Sequence, residues 1–216
     1  HIPFALGLLG ADGQPLPLKL TGESGEAPLE RVLELSQAEH CFEFEGLSER
    51  PVPSLLRDFS APVRVHYPWT REQLLFLMSH DPDGFNRWDA GQRLAVDVIQ
   101  SLVGEFESAE VEPRLVDAYR SLLQDSELDQ ALMAKMLQLP SEAYLIELAE
   151  QADVAAIHQA REKVLGYLAE GLRDELMACY RRNAGQGEER REFRLQCFVG
   201  LQQDDAERST RRHAVF

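Results

Sequence analysis

The six histidines are the side chains of this sequence best suited to chemistry, because imidazole binds zinc and exchanges protons near neutral pH. A zinc-peptidase helix carries two histidines one turn apart, with a glutamate directly after the first. The sequence contains no His-Glu dipeptide, and no two of its histidines lie within one helical turn. This spacing predicts polar surface or partly buried residues, not a zinc site, at His1, His40, His66, His80, His158 and His213.

Two close pairs remain as candidates for orienting an imidazole. His40 and Cys41 are adjacent, and adjacent residues of a strand face opposite ways, which disfavours a shared metal ion. His158 and Glu162 share a helical face, but a solvated pair is the commoner outcome when no nucleophile accompanies it. A Gly-rich phosphate loop, a nucleophile elbow and a Cys-x-x-Cys pair are absent from the sequence. We therefore predict no catalytic, cofactor-binding or metal-binding residue in this chain.

Three aromatic residues could instead form a binding surface. Trp69 lies at the end of the strand-like region, and Phe85 and Trp88 lie in a helical pattern. Aromatic residues at such positions more often belong to the core, since they bury large apolar areas. The core interpretation is favoured, and the binding surface is the alternative.

Composition limits the class of protein. With 216 residues and 44% hydrophobic content, the chain can bury a core, and its net charge of −15 disfavours nucleic acid as a partner. No run of about 18 apolar residues is present, so we expect no membrane span. The three cysteines are odd in number and widely spaced, which favours free thiols and a cytoplasmic location. The chain starts without Met inside an apolar run, which is typical of a fragment.

Apolar and polar residues alternate over the first third of the chain, which predicts short β-strands separated by turns and a piece of a β-sandwich. A hairpin is expected from Ile2 to Leu20, with its turn at residues 11–14. Further strands are predicted at Arg31 to Leu35, at His40 to Glu45, and around Val63, Val65 and Tyr67.

After Pro68 the apolar period becomes helical. Thr70 with Gln73, and Ser126 with Asp129, have the spacing of capping boxes. Consecutive helices predict a bundle or an α-solenoid, although no fixed repeat period appears. The helical patterns cover Leu74 to Met78, Phe85 to Leu102, Leu115 to Leu123, Leu132 to Leu137, Glu142 to Glu150 and Val154 to Tyr180.

Several segments carry a resemblance to a known family: HIPFAL at residues 1–6, PVPSLLRDFSAPV at 51–63, FNRWDAGQRL at 85–94, LPSE at 139–142 and VAAI at 154–157. Together they resemble the bacterial aminopeptidase N family, the cytoplasmic zinc alanyl aminopeptidases of the gluzincin group. They occur in the family's order and spacing between residue 1 and about residue 183.

The resemblance implies an α+β multidomain fold. Residues 1–67 would form an Ig-like β-sandwich domain that lacks its N-terminal strands. Residues 68–216 would begin an all-α helical-repeat, solenoid-like domain, truncated, with an atypical tail at 181–216 where the composition shifts. The family's zinc ligands and catalytic residues belong to a domain outside this chain, so none is assigned here.

The function implied is that of the non-catalytic C-terminal portion of a zinc metallo-aminopeptidase, which removes N-terminal residues from peptides. This portion would support the catalytic domain of the same polypeptide and restrict the access of peptide substrates to the active site. Zinc would be bound by the complete enzyme and not by this chain, which is expected to be inactive alone. The alternative is a non-enzymatic helical-repeat module that binds a protein partner.

Overall fold

The computed structural model describes residues 1–104 and 111–183. The chain divides into two compact units, His1–Ala90 and Gly91–Phe216. The first unit contains six strands, one helix and the beginning of a second helix. These elements are β1 Ile2–Leu9, β2 Pro15–Leu16, β3 Lys19–Leu20, β4 Arg31–Leu35, β5 Phe44–Glu45, β6 Val52–Leu55, α1 Arg71–His80 and α2 Gly84–Gly104.

Strand β1 organises the first unit because three other strands pair with it, all antiparallel. Its first half pairs with β4 and its second half with β6 and β2. The turn between β1 and β2 is closed by two hydrogen bonds, from the Gly10 N–H to the Gln14 carbonyl and from the Gly13 N–H to the Gly10 carbonyl, and Gly13 has a φ of 81°. The predicted hairpin is confirmed for β1 and β2, but its second arm ends at Leu16 instead of Leu20. Strands β3 and β5 form a separate two-stranded sheet.

The two faces of β1 have different neighbours. Leu6 and Leu8 point to one face, where they form a buried cluster with Leu18 and Leu33. Phe42 and Phe44 pack against this cluster from the side of β5. The intervening residues, including Gly7, point to the other face because successive side chains of a strand alternate.

Two predicted strands need correction, and one strand of the structure was not predicted. The predicted strand at 40–45 shortens to Phe44–Glu45, because His40 Nε2 accepts the backbone N–H groups of Ser36 and Gln37 and holds a loop. Residues 63–67 belong to no strand of the described chain. Strand β6 was not predicted because Pro53, which lies in it opposite Leu8, argues against a strand.

The second unit consists of helices in its described residues. In addition to the rest of α2, they are α3 Pro113–Gln124, α4 Gln130–Met136, α5 Glu142–Leu148, α6 Val154–Gly171 and α7 Arg173–Asn183. The β-then-helix order confirms the predicted fold class.

Two predictions on these helices need correction. Asp129, not Ser126, is the N-cap of α4, and its carboxylate accepts the N–H groups of Ala131 and Leu132. The single pattern from Val154 to Tyr180 forms two helices that break at Leu172. Apolar spacing continues across this break, so periodicity alone could not locate it.

Helix α3 lies against α6 and α7 in this unit. The Arg120 guanidinium donates to Glu175 Oε1 at 2.7 Å and to the Gly171 carbonyl at 2.9 Å. These bonds satisfy an open carbonyl at the end of α6 and fix α7 beside α3. Arg120 also pairs with Asp117 on its own helix.

No described helix is long and apolar enough to cross a membrane. All but the first three residues of the tail predicted at 181–216 lie outside the described residues. The predicted domain boundary between residues 67 and 68 stays a prediction. The compact units divide after Ala90, so α1 belongs with the strands.

The capping box of α1 provides a test of local stability. Thr70 Oγ1 accepts the Gln73 N–H, and the Gln73 side chain accepts the Thr70 N–H. We expect Thr70→Ala to lower the free energy of unfolding by about 1 kcal/mol, because the Gln73 N–H loses the hydroxyl that accepts it. Denaturant unfolding followed by circular dichroism measures this loss. Thr70→Ser is the control, since it keeps the hydroxyl, and equal losses in the two variants would contradict the assignment.

A buried polar junction as the candidate functional site

Four buried polar side chains meet in the first unit, and we call them the polar junction: Ser54, Arg57, Asp81 and Asn86. None is more than 6% exposed. They come from four consecutive elements: β6, the turn that follows it, the residue after α1, and the first turns of α2. Buried polar groups of this kind must satisfy one another, because water cannot reach them.

The Ser54 hydroxyl is the centre of the junction. It accepts Arg57 Nε–H and Asn86 Nδ2–H, each at 2.8 Å. The Asp81 carboxyl group also interacts with this hydroxyl, which acts to lower the pKa of Asp81. A hydroxyl has two acceptor sites, and both are occupied by the Arg57 and Asn86 N–H groups.

The Arg57 guanidinium extends from the junction across β1. It pairs with Glu30 Oε2 at 3.3 Å and with Asp81 Oδ1 at 3.6 Å. Gly7 lies opposite Ser54 in the sheet, on the same face, and a Cβ at Gly7 would overlap the guanidinium carbon. The absence of a side chain at residue 7 therefore makes room for the arginine.

The turn that carries Arg57 has an unusual backbone. Leu56, Asp58 and Phe59 adopt φ values of 60°, 52° and 49°, in the left-handed region that non-glycine residues avoid. Such conformations cost about 1–3 kcal/mol each and persist only where the surroundings enforce them. The burial of Arg57 between two of these residues is one such constraint.

Hydrogen bonds on both sides hold the same turn. The Asp58 N–H donates to Asp83 Oδ2 at 2.9 Å, and the other oxygen of Asp83 accepts the Asn86 N–H at 2.8 Å. Ser60 Oγ accepts the Ala5 N–H of β1 at 3.0 Å. The strained turn is thereby linked to both β1 and the beginning of α2.

Asp81 is the titratable group most affected by this environment. Burial raises its pKa, and the hydrogen bond from Ser54 and the charge of Arg57 offset only part of that effect. Asp81 Oδ2 and one terminal nitrogen of Arg57 make no hydrogen bond within the described protein. A carboxyl with a raised pKa can act as an acid. At 2% exposure, however, Asp81 cannot reach a substrate, which favours a structural role.

The histidines and cysteines considered as candidate site residues lie outside the polar junction. His158 Nδ1 bonds to Glu142 Oε1 at 2.8 Å, not to Glu162 as the helical spacing suggested, and this bond raises the pKa of His158. Cys41 is exposed and Cys179 is buried, and both are free thiols. In residues 1–104 and 111–183, no group of three or more His, Cys, Asp or Glu side chains could hold a metal ion.

The predicted aromatic set is divided. Phe85 contacts both Trp88 and Phe59. Trp69 instead contacts Tyr67 and donates its indole N–H to the Pro53 carbonyl.

The sequence analysis did not identify the polar junction. Its only signal was a pair of charged residues, Arg57 and Asp58, between the apolar residues Leu56 and Phe59.

The raised pKa of Asp81 predicts a specific dependence of stability on pH. The folded state binds the proton more tightly than the unfolded chain does. The contribution of Asp81 is therefore fully present below the ordinary pKa of 3.8 and decreases as pH rises through the raised value. We expect the stability difference, wild type minus Asp81→Asn, to fall over that range and then to level off. Denaturant unfolding at a series of pH values measures it. A difference that grows with pH would show that the pairing with Arg57 outweighs burial.

The contact between Arg57 and Gly7 predicts a coupling between two substitutions. We expect Gly7→Ala to lower the free energy of unfolding by about 2 kcal/mol or more, because the new methyl group displaces the guanidinium from its partners. In an Arg57→Met background the same substitution should cost less, with a coupling of about 1–3 kcal/mol. Denaturant unfolding of the four proteins closes the cycle. Additive losses would mean that the two residues do not interact.

Two protein-family models match this chain. A family model for a domain of unknown function with an Ig-like fold (DUF3458) matches residues 1–68. A second model, for a domain of unknown function with ARM repeats (DUF3458_C), matches residues 71–214, which is more than half of the chain.

The curated relatives are longer proteins. Aminopeptidase N of Escherichia coli is 40% identical over 186 residues, which cover 85% of this chain and 21% of that protein. Aminopeptidase N of Haemophilus influenzae is 35% identical over 183 residues, covering 83% and 21%, and that of Caulobacter vibrioides is 38% identical over 172 residues, covering 80% and 19%. The chain thus spans about a fifth of the length of the curated relatives it matches.

A solved structure has the same fold. It is the crystal structure of Legionella pneumophila aminopeptidase A in complex with aspartic acid, which superposes with a TM-score of 0.80 at 28% identity. The match covers 99% of this chain and 25% of that one. With both family models matched and several aminopeptidase N relatives at 35–40% identity, the chain belongs to the DUF3458 Ig-like and ARM-repeat family and is homologous to the C-terminal region of aminopeptidase N.

Proposed function

We propose that this chain is the non-catalytic C-terminal portion of a zinc aminopeptidase that removes N-terminal residues from peptides. The observation that carries the proposal is the 40% identity to Escherichia coli aminopeptidase N over 85% of this chain. In this proposal the Ig-like domain, residues 1–67, supports the catalytic domain, and the helical domain, residues 68–216, restricts access to the active site. The family matches, which end at residue 68 and begin at residue 71, support that division.

Zinc belongs to a different part of the polypeptide in this proposal. The described residues do not fit a zinc site, because no three potential ligands converge. The nearest approach to a catalytic pair, His158 with Glu142, lies exposed on the surface without a nucleophile. We assign no catalytic, cofactor-binding or metal-binding residue to this chain.

The partners follow from the same proposal. They are the catalytic domain of the same polypeptide and, in the complete enzyme, peptide substrates. A net charge of −15 would repel acidic peptides and attract basic ones. The free thiols Cys41 and Cys179 support a reducing, cytoplasmic location. The same charge argues against nucleic acid as a partner.

A chimera tests the proposal directly. The region of Escherichia coli aminopeptidase N that matches this chain is replaced by residues 1–216, and hydrolysis of an alanyl chromogenic substrate is measured with and without a chelator. We expect the chimera to hydrolyse the substrate and the isolated chain to be inactive even with added zinc. The unaltered E. coli enzyme and its deletion of the matched region are the controls.

Two outcomes would count against this function. One is turnover by the isolated chain that is lost on chelation, which would place the active site within these residues. The other is a folded chimera that retains zinc but has no activity. A reading frame upstream of His1 without a His-Glu-x-x-His sequence would favour the alternative, a helical-repeat module that binds a protein partner.

A further inference from the structure

We propose that the first unit docks onto the remainder of an aminopeptidase polypeptide through an aromatic surface formed by Phe59, Phe85 and Trp88. This inference rests on the proposed function and assigns a contact surface to it. We call these three residues the aromatic patch.

The patch is a continuous set of ring contacts. The centroids of Phe59 and Phe85 lie 5.2 Å apart, and those of Phe85 and Trp88 lie 5.7 Å apart. Both pairs are tilted, the arrangement that aromatic rings favour. Phe59 is 51% exposed, and its two neighbours are half-buried, so the outer edge of the patch faces solvent.

The backbone around Phe59 is strained. Phe59 itself has a φ of 49°, and two of the three residues before it are also left-handed. The burial of Arg57 and the hydrogen bond from the Asp58 N–H to Asp83 hold the turn in this conformation, in which Phe59 is exposed. Enforced strain at an exposed aromatic residue points to a binding function more than to folding.

The size of the patch indicates a partner within the same polypeptide. A stable interface between separate proteins buries about 1,200 Å² or more, whereas an aromatic side chain supplies about 150–250 Å². Three partly buried rings are therefore too small to hold a free protein. They suffice where a covalent connection supplies the effective concentration. The aminopeptidase N relatives have about four-fifths of their length outside the matched region, which provides such a connected partner.

Charge argues against a second copy as the occupant. Each chain carries a net charge of −15, so two copies that approach each other repel. Asp58 and Asp83 lie at the patch itself and would add local repulsion in a symmetric contact. A second copy is therefore an outcome for the experiment to detect.

Hydroxyl-radical footprinting reads the patch directly, because it reports the solvent exposure of individual side chains. The isolated chain is compared with the E. coli chimera described above, and oxidation rates are measured by mass spectrometry. We expect oxidation of Phe59 and Trp88 to slow by about fivefold or more in the chimera, since a docked partner excludes water from the centre of an interface. Leu29 is the matched control. It is 53% exposed in the same unit and should react at a similar rate in both proteins.

Each other result has a definite meaning. Equal oxidation of Phe59 in the two proteins, or an equal slowing at Leu29, would overturn the proposed surface. Slower oxidation of Phe59 in the isolated chain at high concentration would overturn it in favour of a second copy. If the chimera is insoluble, the footprint is read on a fusion in which a flexible linker joins this chain to the E. coli polypeptide that lacks the matched region, with the same criteria.

The outcomes also separate the two proposals. An active chimera with an exposed Phe59 would leave the proposed function intact and remove the docking surface. An inactive chimera with a protected Phe59 would do the opposite. As a second readout, Phe59→Ser should shorten the thermal half-life of the chimera while Leu29→Ser leaves it unchanged. Both variants are also compared in the isolated chain, where Phe59→Ser removes only the ring contact with Phe85, and the proposed surface predicts a larger loss for this variant in the chimera than in the isolated chain.

Discussion

The burial of one guanidinium group organises the first unit. Arg57 cannot reach water, so its charge must be compensated by Glu30 and Asp81 and its Nε–H by Ser54. These partners lie on a loop, on a strand and after a helix, and they must all be in place together. The junction thereby requires β1, β6, α1 and the beginning of α2 to adopt one arrangement. Apolar packing alone would allow several.

The polar junction leaves two of its buried polar atoms without a hydrogen bond within the described protein. An unsatisfied oxygen on Asp81 and an unsatisfied nitrogen on Arg57 remain, and burial raises the pKa of Asp81 despite the nearby cation. A buried ion pair of this quality contributes more to a defined structure than to stability. The left-handed turn adds a further cost. The first unit is therefore less stable than it would be without this turn, and the turn exposes Phe59. This is expected where a surface serves for contact.

The second unit is held together mainly by apolar packing between helices. Its described helices are joined mainly by apolar faces, with Tyr119 and the leucines of α3 buried. Polar links occur at helix ends, where Arg120 bonds to the Gly171 carbonyl and to Glu175. Such links satisfy open backbone groups and do not require special conformations. The contacts of α3 with α6 and α7 join helices that are not neighbours in sequence.

The sequence by itself determined the order of strands and helices, because the alternation of apolar residues changes its period near Pro68. It also determined the cap of α1, since Thr70 and Gln73 act within four residues. It could not locate β6, where Pro53 masks the strand, or the break at Leu172, where the apolar spacing continues. Only the tertiary structure assembled the polar junction. Its members, from Ser54 to Asn86, are brought together by strand pairing and by the burial of one charge, and no local pattern records which distant residues will compensate that charge.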